Sequence, residues 1–557
     1  MSARFRLQLL VLVVACGDPA RTGADHDRLA GITPEVERYG GTAVVALAVE
    51  PASFNGPGSF DSETMAIHQG LLSMPLVRYN RQREIVPWLA ERWDTVRVAA
   101  DTLELTFHLR RDIRWHDGVP TTAEDVRFTY ERMLDPRVAF PRRGFLAHWS
   151  PHVEAPDSFT IRFRLRAHAE FLDFWTWDVA LPAHLLRDVP PAQLRLHPFA
   201  WQPIGNGPFR FVRRAAGQEL VFEANLDFPA VLGGRPYLDR VIFRIRPDAT
   251  ARVTEVLTGG ADLSFITPEA AQRAGRSRGI RMIEFASGWW TQIAWNTRRA
   301  PFDDARVRRA LSLAIDRQVL LDVMLRGFGE PGRWTVTPSH WQYDPDDPET
   351  APRYDTTEAR RLLAEAGWRD RGAGGILEDS QGRPFRFTLL SFRESSTHHQ
   401  TAVAVQAQLR RIGVDMRIRE LEETSAFGLA QGRVEEGGER VREFDAFLTN
   451  YTTGTSSDDS WFLHSRNRNG PLSLPGYADP RADSLMDTLA VILDRDAARP
   501  LWREYQRLMV RETPIAVLLY PYTLIAARSR LRGVEADATR HAFVSAPRWW
   551  ILPRTRR

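Results

Sequence analysis

His116 and Asp117 stand side by side in RWHDGVPTTAEDVRFTYERML, residues 114–134. A histidine beside a carboxylate is the raw material of a general base. The surrounding residues argue against that use. Adjacent side chains on an extended backbone point to opposite faces, which is poor geometry for a dyad. Asp117-Gly118 is a turn dipeptide, and Pro120 prevents regular structure from continuing. Thr121 or Thr122 can cap a helix, with Glu124 three residues after the first and Asp125 three after the second, at capping-box spacing. Val126, Tyr130, Met133 and Leu134 then recur as one helical stripe. Upstream, Leu103, Leu105, Phe107 and Leu109 alternate with polar residues, as in a half-buried strand. The stretch predicts strand, turn and capped helix, with a structural His-Asp pair.

Other chemistries fare no better. All 74 residues counted as Lys or Arg are arginine. A phosphate loop needs its lysine and Schiff-base chemistry needs an amine, so both are excluded. No His-Glu-x-x-His helix occurs, which argues against the rival assignment of a secreted metallohydrolase. Among 14 histidines only His398-His399 is an adjacent pair, and neighbours opening a helix face different directions. No metal, cofactor or catalytic residue is assigned. The net charge is only +4 and the arginines are interspersed with acids, so no nucleic-acid footprint is present.

A chain of 557 residues predicts two to four structural units. Its single cysteine, Cys16, follows a basic start (Arg4, Arg6) and a short apolar run at 9–15. That run is a signal peptide rather than a membrane span, which needs about 20 apolar residues. Val13-Val14-Ala15-Cys16 resembles a bacterial lipobox, making residues 1–15 the signal peptide, Cys16 the lipidation site and 16–41 a tether. Acyl chains contribute about 0.8 kcal/mol per buried CH₂ and hold such a domain at a membrane surface.

The remaining chain mixes strands and helices. Strands are predicted at 42–49 and 157–165, a hairpin around 215–218, and further strand at 241–245. A helix at 248–257 ends at Gly259-Gly260. Two dozen residues from Asp303 read as helical, with Val307, Leu311, Val319 and Val323 among the apolar face. Residues 330–354 read as a long loop, and 385–418 as strand, helix, strand, an α/β lobe. Helices follow at 482–493 and 497–511, then a strand at 516–519.

Four blocks in order carry a resemblance. They are IVPWLAERW (85–93) with the opening stretch, PIGNGPFRF (203–211), RPYLDRVIFRIRPDATARVTEVLTGGADL (235–263) and WNTRRAPFDDARVRRALSLAIDR (295–317). Together they resemble the extracellular solute-binding proteins of peptide and nickel ABC transporters, family 5, over residues 42–530 or so. The resemblance implies an α/β, periplasmic-binding-protein-like fold of type II, cluster C, with three lobes, two of which close over ligand around a hinge. The expected division is 42–57, 203–287 and 526–557 for lobe I, 58–202 for lobe II, and 288–525 for lobe III. It also implies a monomer that delivers a peptide or related small solute to a membrane permease and its ATPase. A non-transport sensor of the same fold is the remaining alternative.

Peptide-binding members hold the ligand α-ammonium with an aspartate after a strand that begins Phe-Asp. Here that strand starts at Phe444-Asp445, and the matching position is Gly454, with Asp458 and Asp459 shortly after. The resemblance therefore makes Tyr451, Thr452, Gly454, Asp458, Asp459 and Trp461 candidate ligand contacts. Asp458 and Asp459 serve equally well as caps of the helix containing Trp461. Trp289, Trp290 and Asn296 are candidates at a lobe crossover, where core packing is the alternative for the tryptophans. Ser59, Phe60 and Asp61 fall where relatives place a pocket loop. Asn206, in PIGNGPF, reads as the anchor of a glycine-rich turn.

Overall fold

The computed structural model describes residues 33–55, 62–80, 84–140, 143–149, 152–176, 179–372, 374–435, 440–452, 456–535 and 542–553. Cys16, Ser59, Phe60, Asp61 and Gly454 lie outside the described residues.

The apolar strand Thr42–Leu47 is central to one sheet. It pairs in parallel with Arg240–Ile245 and with Leu263–Phe265. Parallel strands buried on both faces need near-continuous apolar runs, and TAVVAL supplies one. The hairpin Phe209–Ala215 and Glu219–Ala224 extends that sheet as the sequence predicts. Helix Ala249–Thr258 begins at Asp248, whose carboxylate accepts from Ala251 N, and ends at Gly259 in the left-handed region. A second sheet runs Ala90–Ala99, Thr102–Leu109, Thr160–Arg166, His152–Asp157, all antiparallel. Its alternating face buries Leu103, Leu105, Phe107, Ile161 and Phe163. Tyr130 and Trp175 pack edge-on against Phe163, each at 4.9 Å between ring centres. Each such side chain contributes about 1.5–3 kcal/mol on burial.

The opening stretch sits at the end of this sheet. Gly118, at φ 92°, makes the turn. Thr122 N donates to the Asp125 carboxylate at 2.8 Å and starts helix Ala123–Leu134. The same carboxylate accepts from Trp115 Nε1 and from Ala183 N. His116 is bound on both ring nitrogens, accepting from Gly205 N and meeting Gly207 O. Asp117 points elsewhere, to His184 at 2.7 Å. The two neighbours thus tie different segments, and no dyad forms. Burial pushes the His116 imidazole down to about 4, so it is neutral at physiological pH.

The third packed region carries the strand–helix–strand unit. Arg386–Phe392 pairs in parallel with Asp415–Leu421 across helix Ser396–Arg410. The helical run expected from Asp303 is broken into Ala305–Leu313 and Arg317–Met324. Asp316 makes the break by accepting from Val319 N, while its own N–H donates to Gln408. The turn rotates the second helix, so Val319 and Val323, expected on the apolar face, are exposed.

The apolar run expected at 516–519 is much longer. Strand Ile515–Arg528 belongs to two regions at once. Its first half pairs with Trp289–Trp295, and its second with Ile280–Ala286 and Leu263–Phe265. Between the halves, Ser287 Oγ donates to Pro521 O at 2.9 Å. Two strands therefore cross together from one region to the other, with this hydrogen bond joining them at the crossover.

Candidate functional site

Strand Ala446–Thr452 runs antiparallel to Trp289–Trp295, with Trp289 opposite Thr452 and Trp295 opposite Ala446. Trp289 and Thr452 thus lie at the end nearest the crossover and the 456–459 segment. Asn296 lies at the other end, seven positions away, about 23 Å at the usual strand rise. Its amide donates to Phe444 O at 2.8 Å and it is fully buried. Asn296 therefore fixes the far edge of the sheet and is not brought together with the other candidates. Pleat phase separates the two tryptophans. Trp289 is 39% exposed, whereas Trp290 is fully buried, donates to Gln292 Oε1 and packs on Tyr451 at 5.5 Å. Tyr451 in turn packs on Phe462 at 5.1 Å, and burial pushes its hydroxyl up to about 12. Trp290 is a core residue; Tyr451, Thr452 and Trp461 are half-buried.

The two aspartates part company. Asp459 is buried and accepts from Trp334 Nε1, Thr335 Oγ1 and Tyr505 OH, all on one oxygen. It ties the 334–335 segment to helix Arg495–Glu512 and makes no side-chain cap to helix Ser460–Leu463. Burial pushes its carboxyl up to about 7, against those bonds. Asp458 accepts from Ser460 N at 2.9 Å and faces His168 Nε2 at 3.5 Å. Burial opposes its charge, yet His168 and the Ser460 bonds hold its carboxyl below the usual range.

His168 comes from the region of the antiparallel sheet, so this contact joins two lobes. Glu170 beside it accepts from Ser456 Oγ, Ser457 N and Ser457 Oγ at 2.5, 2.7 and 2.8 Å. A cavity of about 60 Å³ adjoins these contacts, bordered by Tyr79 and Asp173 on one side and His340, Trp341 and Trp502 on the other. That volume holds a few waters. Sequence reasoning missed His168 and Glu170. The available signal was two titratable residues, two apart and so on one face, directly after strand Thr160–Arg166. Among the described residues no group of three or more metal-ligating side chains occurs, and no helix is long and apolar enough to cross a membrane.

An interlobe site beneath paired crossing strands is a binding-protein arrangement, and the sequence comparison decides the family. Residues 84–471 match the bacterial extracellular solute-binding proteins, family 5. The chain belongs to this family. As a family 5 protein it is 29% identical over 548 residues to the oligopeptide-binding protein AppA of Bacillus subtilis, covering 98% of this chain and 97% of that one. Heme-binding protein A of Haemophilus influenzae is 30% identical over 352 residues, 59% of this chain and 61% of the relative. The structure of Bacillus subtilis AppA in complex with a nonapeptide superposes with a TM-score of 0.73 at 27% identity, covering 92% of this chain and 99% of AppA. The three-lobed type II fold and the role of solute receptor for an ABC importer follow for this family 5 protein, which acts outside the cytoplasm.

Proposed function

We propose that this receptor captures a peptide between lobes II and III and presents it, as a lipid-anchored monomer, to its permease. The observation that carries the peptide assignment is the full-length likeness to an oligopeptide-binding protein whose structure holds a nonapeptide. The lobes divide near 58, 203, 288 and 526, with Ser287 and Pro521 at the hinge. Ligand contacts across the cleft favour the closed form by binding it more tightly than the open one.

With glycine at 454, the ammonium anchor moves to Asp458. It is the ionised carboxylate of the loop, whereas Asp459 is committed to the core. A peptide ammonium exchanges for His168 at Asp458 Oδ2. Trp289, Thr452 and Trp461 line the same cleft.

Titration calorimetry of the purified chain with a nonapeptide and its N-acetylated form tests this. The free amine binds at least tenfold more tightly, and Asp458→Asn abolishes the preference while peptides still bind. Equal affinity for both forms in the unmodified protein removes the Asp458 role. No binding by any peptide of two to about nine residues removes the peptide assignment. Cys16→Ser shifts the chain from the membrane to the soluble fraction; unchanged membrane retention removes the anchor.

A further inference from the structure

The segment His168–Ala169–Glu170 follows strand Thr160–Arg166 and is held to its own lobe by Ala167 N donating to Asp101 O at 2.7 Å. From that base it reaches lobe III through three consecutive residues. Ala169 N donates to Ala490 O at 2.6 Å. Ala490 is the C-terminal cap of helix Pro480–Leu489, and carbonyls at a helix end have no partner within the helix. Glu170 takes three hydrogen bonds from Ser456 and Ser457. His168 is prepared for its own bond. Glu170 N donates to His168 Nδ1 at 3.1 Å, so the ring proton sits on Nε2 and faces Asp458. The ring rests on Trp149 with 4.3 Å between centres. Gln342 Nε2 and His340 Nε2 brace the receiving segment from behind, at Ser457 Oγ and Ser456 O. Each side is also held by contacts that do not cross to the other.

We propose that residues 168–170 and 456–458 form a latch that holds the solute-free receptor shut. Every donor and acceptor in it is supplied by the chain itself, so closure needs no ligand atom to bridge the lobes. The contacts also set the charge balance. The buried Asp458 carboxylate faces the Nε2–H of His168, and Glu170 accepts from serine donors rather than from water. The resting population is then mostly closed, and solute enters only during brief openings. The latch rests on the solute-receptor assignment and not on the peptide reading, because its test contains no ligand.

Small-angle X-ray scattering of the full chain, stripped of bound solute by unfolding and refolding, reads the latch directly. The unmodified protein scatters with the compact dimensions of the closed form. Glu170→Ala and, separately, His168→Ala shift the curve to a larger radius of gyration and maximum dimension, with the double substitution opening furthest. Thermal unfolding checks that each variant is folded, and the two substitutions lie on independent bonds, so loss of one variant leaves the other. A solute-free protein that is already open, or variants that stay as compact as the parent, overturn the proposal.

Discussion

Asp459 is a carboxylate without a paired cation among its described contacts, deep in a lobe core. Its folded-state value of about 7 lies above the 3.8 of the unfolded chain. The native state therefore binds more protons between those values, and its stability falls as pH rises from about 4 to about 7. Asp459→Asn cannot titrate. The difference in unfolding midpoint, variant minus parent, rises across that window and is flat above it; urea denaturation at a series of pH values reads this. A constant difference from pH 4 to 8 contradicts it. At this scale the sequence was only partly legible. The turn and capped helix around His116 follow from local chemistry, because Gly118, Thr122 and Asp125 act on near neighbours. Which member of Trp289-Trp290 turns inward is set by register with Ala446–Thr452, a partner some 150 residues away that no local pattern announces.

PIGNGPF illustrates how an element is positioned by what it leaves out. A Cβ on Gly205 would stand 1.8 Å from Leu72 O, and one on Gly207 2.5 Å from Leu71 O. Neither glycine needs an unusual φ; both are there so that two backbones touch. Asn206 between them accepts from Met74 N, which locks the contact. Gly205→Ala is therefore expected to cost more than about 3 kcal/mol, since backbone on both sides must move. Gly118→Ala, with open space but φ 92°, costs about 1 kcal/mol. Melting temperatures that rank these two the other way would refute the packing argument. Elements with strong local signals, such as the 209–224 hairpin and helix Ala249–Thr258, were readable from residue pattern alone. The break at Asp316 was not, because an aspartate inside an amphipathic repeat looks like one more polar-face residue until Gln408 is seen to hold its N–H.

At the scale of the whole molecule, two packed regions are joined by strands that belong to both. Strand Ile515–Arg528 completes the sheet begun by Thr42–Leu47 and also the one that holds Trp289–Trp295. The order in which the polypeptide is made turns this into a constraint on its biogenesis. The sheet around Thr42–Leu47 and the one around Trp289–Trp295 both lack their shared strand until residue 528 has been synthesised. The 90–166 sheet, with its helix and aromatic cluster, is complete within one contiguous stretch. A chain halted at 510 should yield a single protease-resistant fragment from that stretch and digest everywhere else. Recovery of an intact amino-terminal sheet around Thr42–Leu47 from such a chain would contradict this. A polypeptide that stays mostly unfinished until its last strand arrives remains threadable for nearly its whole length, which suits passage through a narrow export channel before folding on the far side.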